Sequence, residues 1–194
     1  MIVNTFSKGP QSMNGQNATK EIIAYSFKYL AREKDIDKIS ITDIMDQTDF
    51  RRQTFYDHFD DKYDLITWIF SYETSKLIQS LTVWEKWQEG LLYLLNYLEE
   101  NSNYYKKVFS NMKFDSFKEY FAYYIRQIVK KVVNDYFRIH VISNKNQAII
   151  ETTADFYAYG LSEMLYRWVL GGCELNSEIY HKIIIQVIGY RIQP

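Results

Sequence analysis

The feature that most restricts what this chain can fold into is a pair of short helical segments separated by only three residues. Ser40, followed three positions later by Asp43, has the spacing of a capping box, in which each residue satisfies a backbone N–H of the other. Ile39 and Ile44 are placed to close a hydrophobic staple across it. The pattern predicts a helix over Ile41 to Gln47, with Ile41, Ile44 and Met45 turned inward. Thr48, Asp49 and Phe50 are expected to form the turn, Asp49 being tolerant of a left-handed backbone. A second helix is predicted from Arg51 to Phe59, burying Phe55 and Phe59 on a face that repeats every fourth residue.

Arg51, Arg52, Gln53, Thr54, Tyr56 and His58 are then left for the outer surface. Two cations at a helix N-terminus oppose the positive end of the macrodipole, at a cost of roughly 0.3 to 1 kcal/mol per exposed charge. A broken local rule of this kind is expected where residues serve a function. An isolated Arg-Arg pair merely solvates a helix end or pairs with a carboxylate such as Asp49 or Asp57. After a capped helix and a three-residue turn, the same pair has the layout of a DNA-reading helix-turn-helix. The guanidinium fork matches phosphate oxygens and the O6/N7 edge of guanine.

Ile41-Thr-Asp-Ile44, Thr54-Phe-Tyr-Asp-His-Phe59, Lys62 and Leu65 resemble the helix-turn-helix signature of TetR-family transcriptional regulators, over roughly Thr19 to Phe70. The chain departs from that pattern where Thr48-Asp49 replaces the usual Ala-Gly and where Arg51 takes the place of a small capping residue. A narrower resemblance, to TetR-like activators of dihydroxyacetone kinase operons, is carried by residues 51–56, 61–70, Trp87-Gln88 and 100–106. It implies a homodimer that binds double-stranded operator DNA, and a kinase-subunit-like coactivator protein that senses dihydroxyacetone in the regulator's place. By the same resemblance Arg51, Arg52, Gln53 and Thr54 are expected to contact base edges or nearby phosphates. Tyr56 and His58 are assigned to the backbone, and Lys62 with Thr42 to flanking phosphates, while Lys8 and Lys20 reach phosphates from the N-terminal side. The alternative is a repressor released from its operator by a small apolar or aromatic molecule bound in the C-terminal part.

The rest of the chain is consistent with an all-α protein. Only 2 Pro and 7 Gly in 194 residues argue for long helices with few turns. No apolar run approaches the ~18 residues needed to span a bilayer, and residues 1–16 are polar, without a secretory signal, so the chain reads as cytoplasmic with no membrane association. Lys and Arg total 23 against 24 Asp and Glu, so DNA affinity must come from local placement of charge rather than from a global basic field. The single cysteine, Cys173, excludes an intramolecular disulfide and a thiolate metal cluster, and reads as an inert thiol near a turn. No phosphate loop, nucleophile elbow or pair of catalytic carboxylates is present, so neither catalysis nor a cofactor is expected. Glu178 and His181 have the Glu-x-x-His spacing of a carboxylate metal site but lack a second copy, and no metal is expected.

The predicted organisation is a flexible arm over 1–17, a three-helix helix-turn-helix domain over 18–65 and a helical regulatory and dimerisation domain over 66–194, with about nine helices in all. Helix one is predicted from Thr19 to Lys34 with Ile22, Ile23, Phe27 and Leu30 inward, and a fourth helix from Asp60 or Asp61 joins head to body. The last two helices are predicted near 146–170 and 176–191, parted by a left-handed stop at Gly171-Gly172. Their apolar faces suit either core or a partner. The resemblance favours a four-helix dimer interface carrying Phe156, Gly160, Ile183, Ile184, Val187 and Ile188. Trp84, Trp87, Tyr93, Tyr97, Tyr104 and Tyr105 suit a core, a small-molecule pocket or a wet protein interface.

Overall fold

The computed structural model describes residues 15–111, 115–140 and 147–189; the side chains of 15–16, 76–81 and 115–116 are not described. Lys8 and most of the expected N-terminal arm therefore lie outside the described residues. Among the described residues there is no strand. Nine α-helices follow one another among these residues: α1 (Gly15–Glu33), α2 (Ile41–Met45), α3 (Arg52–Tyr56), α4 (Lys62–Leu81), α5 (Trp87–Glu100), α6 (Ser102–Phe109), α7 (Asp115–Ile139), α8 (Gln147–Leu170) and α9 (Ser177–Gly189). The all-α expectation holds. Helix α1 starts at Gly15, inside the segment expected to be flexible.

Two compact units part between Lys62 and Tyr63, whereas the sequence reading placed the boundary after Leu65. In the first unit Ile23, Ala24, Phe27 and Ala31 of α1 are buried with Ile36, Ile39, Ile44, Met45, Phe55 and Phe59. Ile22, expected inward, is exposed, because Ala24 and Ala31 extend the buried stripe of α1 in the other direction. Four Ile and three Phe side chains in so small a unit form a core dense enough to fix two helices of five residues each, which would not persist alone in water.

The second unit is organised around Phe70, whose ring lies 5.0 to 6.3 Å from those of Tyr97, Tyr105, Phe117, Phe121 and Tyr124. The hydroxyls of Thr74, Tyr97, Tyr105 and Tyr124 find partners inside this aromatic core. The Tyr124 hydroxyl lies 2.8 Å from that of Thr74, and Tyr97 donates to the Glu73 carboxylate at 2.7 Å while sharing a 2.6 Å hydrogen bond with Tyr105. Burial, followed by the nearby Glu73 charge, drives the Tyr97 phenol far above its ordinary pKa, so that phenol stays protonated. Helix α7 packs most extensively on α8. Arg126 clamps Glu151 and Asp155 across that contact, and Lys130 adds a second pair to Glu151 at 2.6 Å.

Helices α8 and α9 form a pinned hairpin. The chain turns through Gly172 at φ +80° and Cys173 at φ +55°, closed by a hydrogen bond from the Cys173 N–H to the Trp168 carbonyl. Trp168 stacks on Tyr180 and donates its indole N–H to the Leu175 carbonyl at 2.8 Å. Asn176 caps α9 through the Ile179 N–H, and Glu99 of α5 accepts from the Ser177 N–H. Burial pushes the Cys173 thiol up to about 11, so it remains a thiol at neutral pH.

Candidate nucleic-acid interface

The first helix of the motif opens on the expected capping box. The Ser40 hydroxyl accepts from the Asp43 N–H at 3.1 Å, and the Asp43 carboxylate accepts from the Ser40 N–H at 2.8 Å. That carboxylate also receives the Ser40 hydroxyl at 2.6 Å and Lys34 at 3.2 Å. The Ser40 hydrogen bonds come first among the causes that hold Asp43 down at a pKa of about 2, so it is ionised throughout the physiological range. Helix α2 is shorter than predicted because its last turn tightens: Gln47 and Thr48 bond back only three residues, to Ile44 and Met45.

The turn is built differently from the sequence expectation. No described residue in it has a positive φ, so Asp49 is not left-handed. Thr48 does the work instead: its hydroxyl donates to the Met45 carbonyl at 2.8 Å and accepts from the Phe50 N–H at 3.1 Å. The Thr48 side chain thus bridges both sides of a turn in which Asp49 stands in place of glycine. Arg51 occupies the N-cap of α3 and makes no side-chain cap. The N-terminal N–H groups of α3 consequently receive no side-chain acceptor from that position.

Helix α3 presents Arg51, Arg52, Gln53 and Tyr56 exposed, with Thr54 and His58 half-buried; Thr42 is exposed on α2. Beneath them Phe55 and Phe59 anchor the helix, their ring centroids 5.6 Å apart. Among the described residues neither Arg51 nor Arg52 forms an ion pair with Asp49, Asp57 or any other carboxylate. Arg52 instead lies across Tyr56, with its guanidinium carbon 5.6 Å from the ring centroid and its Nη2 donating to the phenol oxygen at 3.1 Å.

Lys62 is corrected by the structure. Its ammonium donates to the carbonyls of Ile36, Asp37 and Ile39 at 2.9, 3.2 and 3.2 Å, closing the single helical turn over Ile36–Lys38. With three donors directed at three carbonyls, Lys62 is a clamp within the first unit rather than a phosphate contact. Its partners lie more than twenty residues away in sequence, and no local spacing reveals them. Lys20 likewise packs 5.0 Å over the Phe59 ring.

In the second unit the terminal helices divide the expected interface residues. Phe156 is 75% exposed and Val187 56%, and Tyr159, Ile179 and Ile183 join them on the outside. A Cβ built on Gly160 meets nothing within 4 Å, so that face of α8 is open. Ile184 is 1% exposed and belongs to the core of its own unit, a correction that follows from the 100° turn between adjacent helical positions. Ile188 lines a cavity of about 510 Å³ together with Trp84, Trp87, Ile125, Val129, Tyr136 and Tyr157. The aromatic group singled out in the sequence therefore splits, Trp84 and Trp87 lining this apolar space and Tyr97, Tyr104 and Tyr105 being buried. His181 donates from Nε2 to the Gln88 carbonyl at 2.8 Å, and no group of three metal-ligating side chains occurs among the described residues. No helix there is long and apolar enough to cross a membrane.

Residues 85–190, more than half of the chain, match the TetR-type family model described as "Transcriptional regulator C-terminal region". A curated relative, the HTH-type dhaKLM operon transcriptional activator DhaS of Lactococcus lactis subsp. lactis (strain IL1403), is 38% identical over 117 residues. That stretch covers 60% of this chain and 62% of the relative, so the match spans less than two thirds of the relative's length. A solved structure described as the dihydroxyacetone kinase operon activator DhaS superposes with a TM-score of 0.69 at 28% identity, covering 88% of this chain and 94% of that one. With the helix order, the capped helix-turn-helix and these matches in agreement, the chain belongs to the TetR family of transcriptional regulators.

Proposed function

We propose that this protein is a sequence-specific DNA-binding activator of a dihydroxyacetone kinase operon, acting as a homodimer in the cytoplasm together with a kinase-subunit-like coactivator protein. The observation that carries the DNA-binding part is the exposed start of α3, where Arg51 and Arg52, paired with no carboxylate among the described residues, stand beside Gln53 and Thr54. The likeness to the DhaS proteins supports the operon assignment. The homodimer reading draws support from the exposed apolar side chains of α8 and α9, since a contiguous apolar patch on a protein surface marks an interaction site. In such a dimer two recognition helices enter major grooves roughly 34 to 36 Å apart, and the operator is a near-palindrome.

The signal is taken to arrive through a protein because a metabolite that does not bind cannot shift the regulator between states, whereas a partner holding it can. Calorimetric titration of the purified protein with dihydroxyacetone is expected to give no heat, while a dihydroxyacetone-loaded kinase-subunit-like protein forms a stable complex that raises transcription from the operator. Tight direct binding of the sugar defeats this reading. The cavity of about 510 Å³ favours a second reading, a repressor released by an apolar or aromatic effector, because its size suits a small molecule and its walls offer few polar groups. Release of operator DNA by such a compound, abolished by filling the cavity with Gly90→Trp, would establish it.

A further inference from the structure

The contact between Arg52 and Tyr56 sets this arginine apart from others in the chain. Arg126, Arg138 and Arg167 each pair with a carboxylate, which neutralises the guanidinium and occupies its fork. Arg52 is held without neutralisation: one N–H goes to the Tyr56 hydroxyl at 3.1 Å, and the ring face lies 5.6 Å from the guanidinium carbon, within cation–π range. The two residues are four apart on α3, so the stack runs along the exposed face of the helix, one turn long. A free arginine side chain loses rotamer freedom when it forms a bidentate contact; one already laid against a ring loses less.

We propose that Tyr56 is a positioning residue that holds the Arg52 guanidinium in place to read a guanine, so that preference at one base pair depends on a tyrosine that need not touch that base. The inference rests on the operator-binding reading above. It assigns Tyr56 a part in specificity beyond the backbone contact expected from the sequence. The phenol oxygen accepts from Arg52, and its own proton remains available for a phosphate, so one side chain joins orientation on the backbone to base readout.

The test is selection of duplexes from a randomised library at one fixed salt concentration, with the full-length protein, Arg52→Ala, Tyr56→Phe, Tyr56→Leu and the double variant Arg52→Ala/Tyr56→Leu. Arg52→Ala identifies the base pair that the arginine reads. Tyr56→Leu is expected to relax preference at that same base pair by roughly tenfold, and Tyr56→Phe, which keeps the ring but not the hydrogen bond, by a few-fold. In the double variant the tyrosine change should loosen that position no further than Arg52→Ala alone. Thermal melting is expected to show each variant folded, as suits a side chain 44% exposed. The proposal is overturned if Tyr56→Leu weakens all sequences equally while the Arg52-dependent preference survives, if the two substitutions act additively, or if Arg52→Ala alters no base preference. A wild-type protein that enriches no sequence would sink the operator reading along with it.

Discussion

At the residue scale, Arg52, Gln53 and Lys62 look alike in sequence as polar groups around a recognition helix, and the structure separates their roles. Arg52 and Gln53 face solvent on α3. Replacing either by Ala is expected to cost roughly 1 to 3 kcal/mol of binding to the cognate site and to relax preference locally, as quantitative footprinting across site variants will show. Lys62 spends its donors on three carbonyls of the first unit. Lys62→Met should therefore lower stability by about 1 to 3 kcal/mol, measured as a shifted urea midpoint, because carbonyls lose a charged donor. The slope of log affinity against log salt should not change, since no phosphate contact is lost.

At the element scale, α2 is only five residues long and owes its existence to its cap and to the core beneath it. Ser40→Ala is expected to remove about 1 kcal/mol of stability, seen in chemical denaturation. The capping box also carries a pH signature. Asp43 has a folded pKa of about 2 against 3.8 for the free group, so its contribution is complete above about pH 4 and is lost as pH falls from there toward 2. The difference in unfolding midpoint between the wild type and Asp43→Asn should accordingly shrink across that interval; a constant difference would show that the carboxylate's charge is irrelevant. The turn following α2 depends on the Thr48 hydroxyl in two hydrogen bonds, so Thr48→Val is expected to disturb α3 more than Thr48→Ser.

At the scale of the whole molecule, the alternation along α8 and α9 separates an exposed apolar face from buried core. Phe156→Glu and Val187→Glu place a charge on the exposed apolar face, and sedimentation equilibrium should find folded monomers that no longer bind the operator. Ile184→Asp instead buries a carboxylate in the core of its own unit and should unfold that unit outright, by circular dichroism. A Phe156→Glu variant that stays dimeric would remove α8 from the interface.

Much of this protein was already written in the local order of its residues. A capping box is a four-residue device, so Ser40 and Asp43 announced the start of α2, and the four-residue repeat of Phe55 and Phe59 announced which side of α3 faces inward. The Gly171-Gly172 stop was equally legible, although Cys173 shares the left-handed turn with Gly172. The end of α2, the Thr48 bridge, the inward turn of Ile184 and the Lys62 clamp were not. Amphipathic spacing says that a face is apolar without saying whether its own chain or a partner covers it, which is why Ile184 and Val187 read alike in sequence. A lysine whose acceptors lie more than twenty residues away leaves no trace in spacing at all, because only tertiary folding brings the carbonyls of Ile36, Asp37 and Ile39 to its ammonium group.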